Sequence, residues 1–256
     1  MNDNIKGALG VLEICGNSFE SALAAQHGGA KRVELCDNLA EGGTTPSYAQ
    51  IALSKQELHI EIWPIIRPRG GDFLYSEIEF SLMKEDIKIC KSLNCDGIVI
   101  GILQADGTID KERCTELIEL AKPLPVAFHR AFDMSNDMEK ALEDLIDLGF
   151  VRVLSSGGAA SAIAGAEVLA KLVKQAAGRI VIMPGAGINE QNIGTLIHKT
   201  GAKEFHASAK AFVTSNMQYR NPTTKMGSIE DEYRYELTSV EKVKALTAQL
   251  ATNENL

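Results

Sequence analysis

Strand-like and helix-like segments alternate from one end of this 256-residue chain to the other, a pattern that few folds satisfy. Short apolar runs recur at about 11–15, 31–36, 59–66, 96–101, 125–129, 151–155, 180–184 and 203–207. Between them, helical spacing of apolar residues spans about 18–28, 46–57, 76–93, 110–121, 136–148, 161–177 and 189–199, with a last helix near 237–250. Eight strands, each followed by a helix, predict a (β/α)8 TIM barrel in the α/β class. A doubly wound open sheet would use the same units, but its strands would read more uniformly apolar. Ser135 is placed to cap the helix at 136–148. Gly149 and Gly201 follow helical runs, where a left-handed residue closes a helix. With no linker or composition break, residues 1–256 read as a single domain. The stretch 213–236 is polar, irregular and long for a connection, so it is expected over a barrel mouth or at an interface.

Composition narrows the function classes. A net charge of −8 and a pI near 5.2 argue against a nucleic-acid partner. No apolar run approaches the ~20 residues of a membrane span, and Met1-Asn2-Asp3-Asn4 does not begin a secretory signal. Cysteines at 15, 36, 90, 95 and 114 are odd in number and scattered, unlike a disulfide framework. The expected setting is a reducing cytoplasm.

Alternation along the strands separates the helix-facing side from the lumen. Leu12-Glu13-Ile14-Cys15 and Val33-Glu34-Leu35-Cys36 repeat one pattern, apolar-Glu-apolar-Cys, at the ends of consecutive strands. Glu13, Cys15, Glu34 and Cys36 therefore point inward, and an acid beside a thiol at two strand exits suggests a ligand site. The same parity sends Glu61, Arg67, His129, Arg152 and His206 into the lumen. Buried charges require partners, and Glu34 with Arg67 and Glu61 with Arg152 are the expected pairs. A structural network accounts for the deep acids and arginines. At the strand ends a site is favoured, because barrel sites lie there.

The loops add a second theme. Pro184-Gly185-Ala186-Gly187-Ile188 follows the seventh strand and His206-Ala207-Ser208 ends the eighth, the usual phosphate-binding place of such barrels. Gly185, Gly187 and Ser208, joined by Ser156 and Gly157 after the sixth strand, could offer backbone N–H groups to an anion. The same glycines also serve tight βα turns. Arg67 and Arg69 bracket a proline ahead of Gly70-Gly71. They could clamp a carboxylate or phosphate, or tie their loop to neighbouring acids.

Several of these strings resemble the CutC family: Leu12-Glu13-Ile14-Cys15, Arg32-Val33-Glu34-Leu35-Cys36, Glu41-Gly42-Gly43-Thr44-Thr45-Pro46, Arg67-Pro68-Arg69-Gly70-Gly71-Asp72-Phe73, Phe128-His129-Arg130-Ala131-Phe132-Asp133 and Tyr219-Arg220-Asn221. The resemblance implies a cytoplasmic TIM barrel, a homodimer or higher homo-oligomer, and a part in copper homeostasis. It also implies Cu(I) bound at positions matching Cys15 and Cys36.

Two functions follow. In the first, Cys15 and Cys36 share a Cu(I) ion, which favours soft thiolates, the alternative being two buried thiols with no ion. Met183 is assigned to the helix-facing side, and Cys90, Cys95 and Cys114 to ordinary buried positions. In the second, the chain is an enzyme (lyase, isomerase or hydrolase) acting on a small anionic, possibly phosphorylated, metabolite. His129 would be its acid–base, Glu13 or Glu34 the partner carboxylate, and Arg67 the anion anchor. His206 with His129 and a glutamate could instead hold zinc or manganese. His27, His59 and His198 fall outside the mouth.

Overall fold

The eight short apolar runs become eight parallel strands in the computed structural model, which describes residues 10–226 and 231–252. They are β1 (Val11–Gly16), β2 (Arg32–Leu35), β3 (Glu61–Pro64), β4 (Ile98–Ile100), β5 (Val126–Phe128), β6 (Arg152–Ser155), β7 (Val181–Pro184) and β8 (Glu204–Ala207). Helices follow them: α1 (Phe19–Gly28), α2 (Tyr48–Glu57), α3 (Glu77–Ser92), α4 (Lys111–Ala121), α5 (Met138–Leu148), α6 (Ala166–Ala176), α7 (Ile193–Thr200) and α8 (Val240–Thr252). This is the (β/α)8 barrel that the alternation predicts.

The barrel wall consists of two four-stranded ladders, β3-β2-β1-β8 and β4-β5-β6-β7. They meet at β3 and β4 through one bridge, Ile65 with Val99, where Ile66 N–H donates to the Val99 carbonyl at 2.8 Å. Among the described residues no ladder pair joins β7 to β8.

Side-chain parity sorts the core into two compartments. Leu12, Ile14, Val33, Leu35, Ile62 and Phe205 join the large apolar layer between strands and helices. Cys15, Cys36, Trp63, Ile65, Val99 and Ala127 form a small separate cluster inside the barrel. Register keeps the inward residues level: Glu13 is opposite Arg32 on β2 and His206 on β8, and Cys15 is opposite Glu34.

Local details depart from the sequence pattern in three places. Asp137, not Ser135, caps α5 by accepting from Lys140 N–H at 3.0 Å. Ser135 instead ends a 3-10 turn, Arg130–Met134, that apolar spacing does not reveal. The helix expected from 161 starts at Ala166, because the chain first turns so that Ala162 N–H can donate to the Ala186 carbonyl at 3.0 Å. The segment expected to be irregular over 213–236 begins and ends in strands. β9 (Lys210–Thr214) and β10 (Arg234–Thr238) pair antiparallel, favoured by the β-prone Phe212, Val213 and Tyr235. Residues 227–230 of this segment lie outside the described residues.

Candidate functional site

The deepest layer of the lumen is ionic, and Arg32 organises it. Its guanidinium reaches Glu13, Glu204 at 2.6 Å and Glu61 at 3.7 Å, and touches the Met183 sulfur at 3.7 Å. Arg152 bonds Glu204 at 3.0 Å, and both arginines lie over Trp63, at 5.4 and 4.5 Å from the ring centre. The expected pairs are therefore corrected. Glu61 is half-exposed and takes Arg32 and the Trp63 indole, while Arg152 takes Glu204. Met183 points into the lumen rather than toward the helices. Both parities of Val181-Ile182-Met183-Pro184 are apolar, so alternation could not orient it.

Above this layer, one arm of Glu13 accepts from His206 Nδ1 at 2.8 Å. Burial alone would raise Glu13, but Arg32 and His206 outweigh it and hold the carboxyl down to about 2. Burial pulls His206 down, while its hydrogen bond to Glu13 and the charges of Glu34 and Glu13 raise it above the ordinary imidazole value. The far nitrogen of His206, Nε2, stands 3.7 Å from Glu34 Oε2. Glu34 does not reach Arg67. Burial raises its carboxyl above the usual range, only partly offset by His206. Beside it, the Cys15 and Cys36 sulfurs touch at 3.5 Å, and contact with Cys36, then burial, pushes the Cys15 thiol well up.

A cavity of about 400 Å³ opens over these groups at the C-terminal ends of the strands. Cys15, Glu34, Arg67, His129, Gly187, His206 and Ser208 border it. Glu13, Cys36, Arg69, Ser156, Gly157 and Gly185 do not. Cys15 Sγ, a Glu34 oxygen and His206 Nε2 or Nδ1 lie within 4.8 Å of one another. Cys36 is fully buried, with its sulfur against that of Cys15.

The groups expected to hold an anion are largely engaged elsewhere. Arg67 donates to the carbonyls of Glu41, Gly43 and Gly71 at 2.7–2.9 Å, clasping two loops. Arg69 pairs with Asp72 and Glu79 and so ties down its own loop. After β6 the chain supplies its own anion. The Asp133 carboxylate accepts from Ser155 Oγ at 2.6 Å, from Ser156 N–H at 3.0 Å and from Gly158 N–H at 3.2 Å. Gly157 N–H is taken by Ser155 Oγ at 2.9 Å.

His129 is not paired with a carboxylate. Its Nδ1 accepts from Ala131 N–H at 3.1 Å, and Nε2 is buried with no hydrogen-bond partner among the described residues. Phe73 packs against both its ring and the Arg67 guanidinium, 5.0 Å from each. Burial, then the charge of Arg67, holds the imidazole down to about 3, so it is neutral at physiological pH. His206 thus meets Cys15 and Glu34, and His129 is not in that group. Gly185 contributes by absence: a Cβ there would come within 2.4 Å of Leu154 and 3.3 Å of His206.

Sequence reasoning missed Arg32 and Asp133. Arg32 shares the inward parity of Glu34, which was the available signal. Asp133 is brought to its loop by the 3-10 turn after His129, and only its spacing from Arg130, with which it pairs at 2.8 Å, hinted at this.

Known proteins share this architecture. A family model described as the CutC family matches residues 10–211. A CutC family protein of Chromobacterium violaceum is 53% identical, with 94% of this chain and 98% of that protein aligned. The copper homeostasis protein cutC homolog of Homo sapiens is 48% identical over 93% of this chain and 88% of that protein. A crystal structure of a CutC protein from Streptococcus agalactiae superposes with a TM-score of 0.75 at 37% identity, covering 78% of this chain and 98% of that one. With a family model spanning most of the barrel and relatives near half identity along most of their length, the chain belongs to the CutC family.

Proposed function

We propose that this CutC family protein takes part in copper homeostasis by binding Cu(I) through Cys15 and Cys36. The observation that carries the proposal is the 3.5 Å contact between two sulfurs on adjacent strands, one of them at the wall of a solvent-connected cavity. Cu(I) favours thiolates, and two such groups already in contact need little rearrangement to share it. The ion is cargo, reached through the mouth and held between Cys15 and Cys36. The name of the human relative, copper homeostasis protein cutC homolog, agrees with this role.

The setting belongs to the same proposal. Five free cysteines suit a reducing cytoplasm, and none of the described helices is long and apolar enough to cross a membrane. We place the protein there as a homo-oligomer, most simply a dimer, with the 213–236 region as the contact. Phe212 and Tyr235 are exposed on β9 and β10.

Anaerobic titration of Cu(I) against a competing chelator tests the assignment. One tight site is expected in the parent, weakened greatly in Cys36→Ser. Unchanged binding in the double variant Cys15→Ser, Cys36→Ser would overturn it. Light scattering over a wide concentration range tests the assembly, and a monomer mass throughout would refute it.

A further inference from the structure

We infer that Cys15, Glu34 and His206 form a second metal site, selective for a borderline divalent cation such as Zn²⁺ and independent of Cys36. It goes beyond the Cu(I) proposal and shares only Cys15 with it.

The donor set is the first argument. One sulfur, one carboxylate oxygen and one imidazole nitrogen are the ligand types zinc takes, whereas Cu(I) favours sulfur alone. All three side chains are buried, lie within 4.8 Å of one another and border the cavity.

Spacing is the second. His206 Nε2 and Glu34 Oε2 stand 3.7 Å apart, too far for a hydrogen bond. Two light-atom ligands on a tetrahedral zinc lie about 3.4 Å from each other, given bonds of about 2.1 Å. The gap therefore matches a pair of ligands better than it matches a direct contact. The Cys15 sulfur, within 4.8 Å of both, is placed to supply the third corner.

The third argument is the support behind His206. Its Nδ1 hydrogen bonds to Glu13, which Arg32 anchors in turn. A carboxylate on the far ring nitrogen fixes the tautomer and aims the other nitrogen, as is usual for metal-bound histidines. Gly185 leaves room for the ring. Cys36 does not border the cavity, and His129, which does, lies outside the cluster of three donors.

Three protein donors leave one coordination position, and it faces the cavity of about 400 Å³. Structural zinc sites are closed, while sites that take an exchangeable ligand keep one position open. The walls beside it combine Leu39, Ile65 and Leu154 with the Ser208 end of β8, which suits a compact ligand offering one oxygen to the metal. Binding displaces the Cys15 thiol proton to solvent.

The test uses the purified full chain and two probes, Zn²⁺ by competition with a chromophoric chelator and Co²⁺ by absorption, both under argon. One Zn²⁺ per chain is expected. Glu34→Gln, His206→Gln and Cys15→Ser should each weaken it by more than about tenfold, while Cys36→Ser leaves it within a factor of about three. The Co²⁺ form of the parent should show the charge-transfer band of a single thiolate, retained in Cys36→Ser. That spectrum needs no variant of a buried ligand, so it decides the matter even if one fails to fold. A two-thiolate intensity, no band, or zinc affinity that falls with Cys36→Ser would overturn the site. Cu(I) binding that depends on Cys36, measured alongside, succeeds or fails on its own.

Discussion

Asp133 fills the loop after β6 with its own carboxylate: Oδ2 accepts both the backbone N–H of Ser156, at 3.0 Å, and its hydroxyl, at 2.9 Å. The amides that a phosphate would have used are thereby satisfied from within. Asp133→Ala strands the donors of Ser155 and Ser156 and removes the carboxylate beside the half-exposed Arg130, and should cost about 2–4 kcal/mol. Urea denaturation with an unchanged m-value checks it. Sulfate should restore part of the loss in the variant and leave the parent unmoved. A variant as stable as the parent would contradict the role.

Glu13 and Arg32 stabilise the fold as a unit rather than singly. Glu13→Ala leaves Arg32 and His206 facing a gap, at an expected cost of about 3–5 kcal/mol. Adding Arg32→Met removes the stranded charge, so the double variant should be less destabilised than the sum of the two single variants. Additive effects would show that the pair is not coupled.

His129 makes stability depend on acidity with a definite sign. Its folded value near 3 lies below the ordinary 6.5, so the unfolded chain binds the proton first. This contribution is complete above pH 6.5 and is lost as the pH falls toward 3, at up to about 1.4 kcal/mol per pH unit. Glu34, raised by burial, opposes it in part of that window, so the difference between parent and His129→Gln carries the signal. Between pH 6.5 and 5 the difference should shrink as acid is added. The His129 ring protons should not titrate by NMR above about pH 4. An ordinary titration near 6.5 would sink the assignment.

Gly185 is required by crowding. Gly185→Ala drives a methyl into Leu154 and toward His206, for an expected loss of about 1–3 kcal/mol. Thermal unfolding measures it, and a neutral result would mean that β7 shifts freely.

The fold was legible because the apolar period changes from two to 3.6 eight times, and that signal survives in every unit. Inward and outward faces were equally plain where one parity is polar, as in Leu12-Glu13-Ile14-Cys15, and silent where both are apolar, as at Met183. The site was harder. Parity puts Cys15, Glu34 and His206 inside, but only strand register, with Glu13 between Arg32 and His206, determines which of them meet. The arginines misled for a physical reason: both terminal nitrogens of Arg67 go to nearby carbonyls of two loops rather than to an acid, and its Nε has no partner among the described residues.

The two ladders of the barrel wall divide the cavity unequally. Cys15, Glu34 and His206 all belong to the half formed by β8, β1 and β2, while His129 and Leu154 belong to the other. One bridge holds the seam at β3, and the seam beside β8 has no ladder bonds among the described residues. Cys15, Glu34 and His206 therefore take their spacing from the register of one continuous ladder, while the mouth they open into is bounded by both halves.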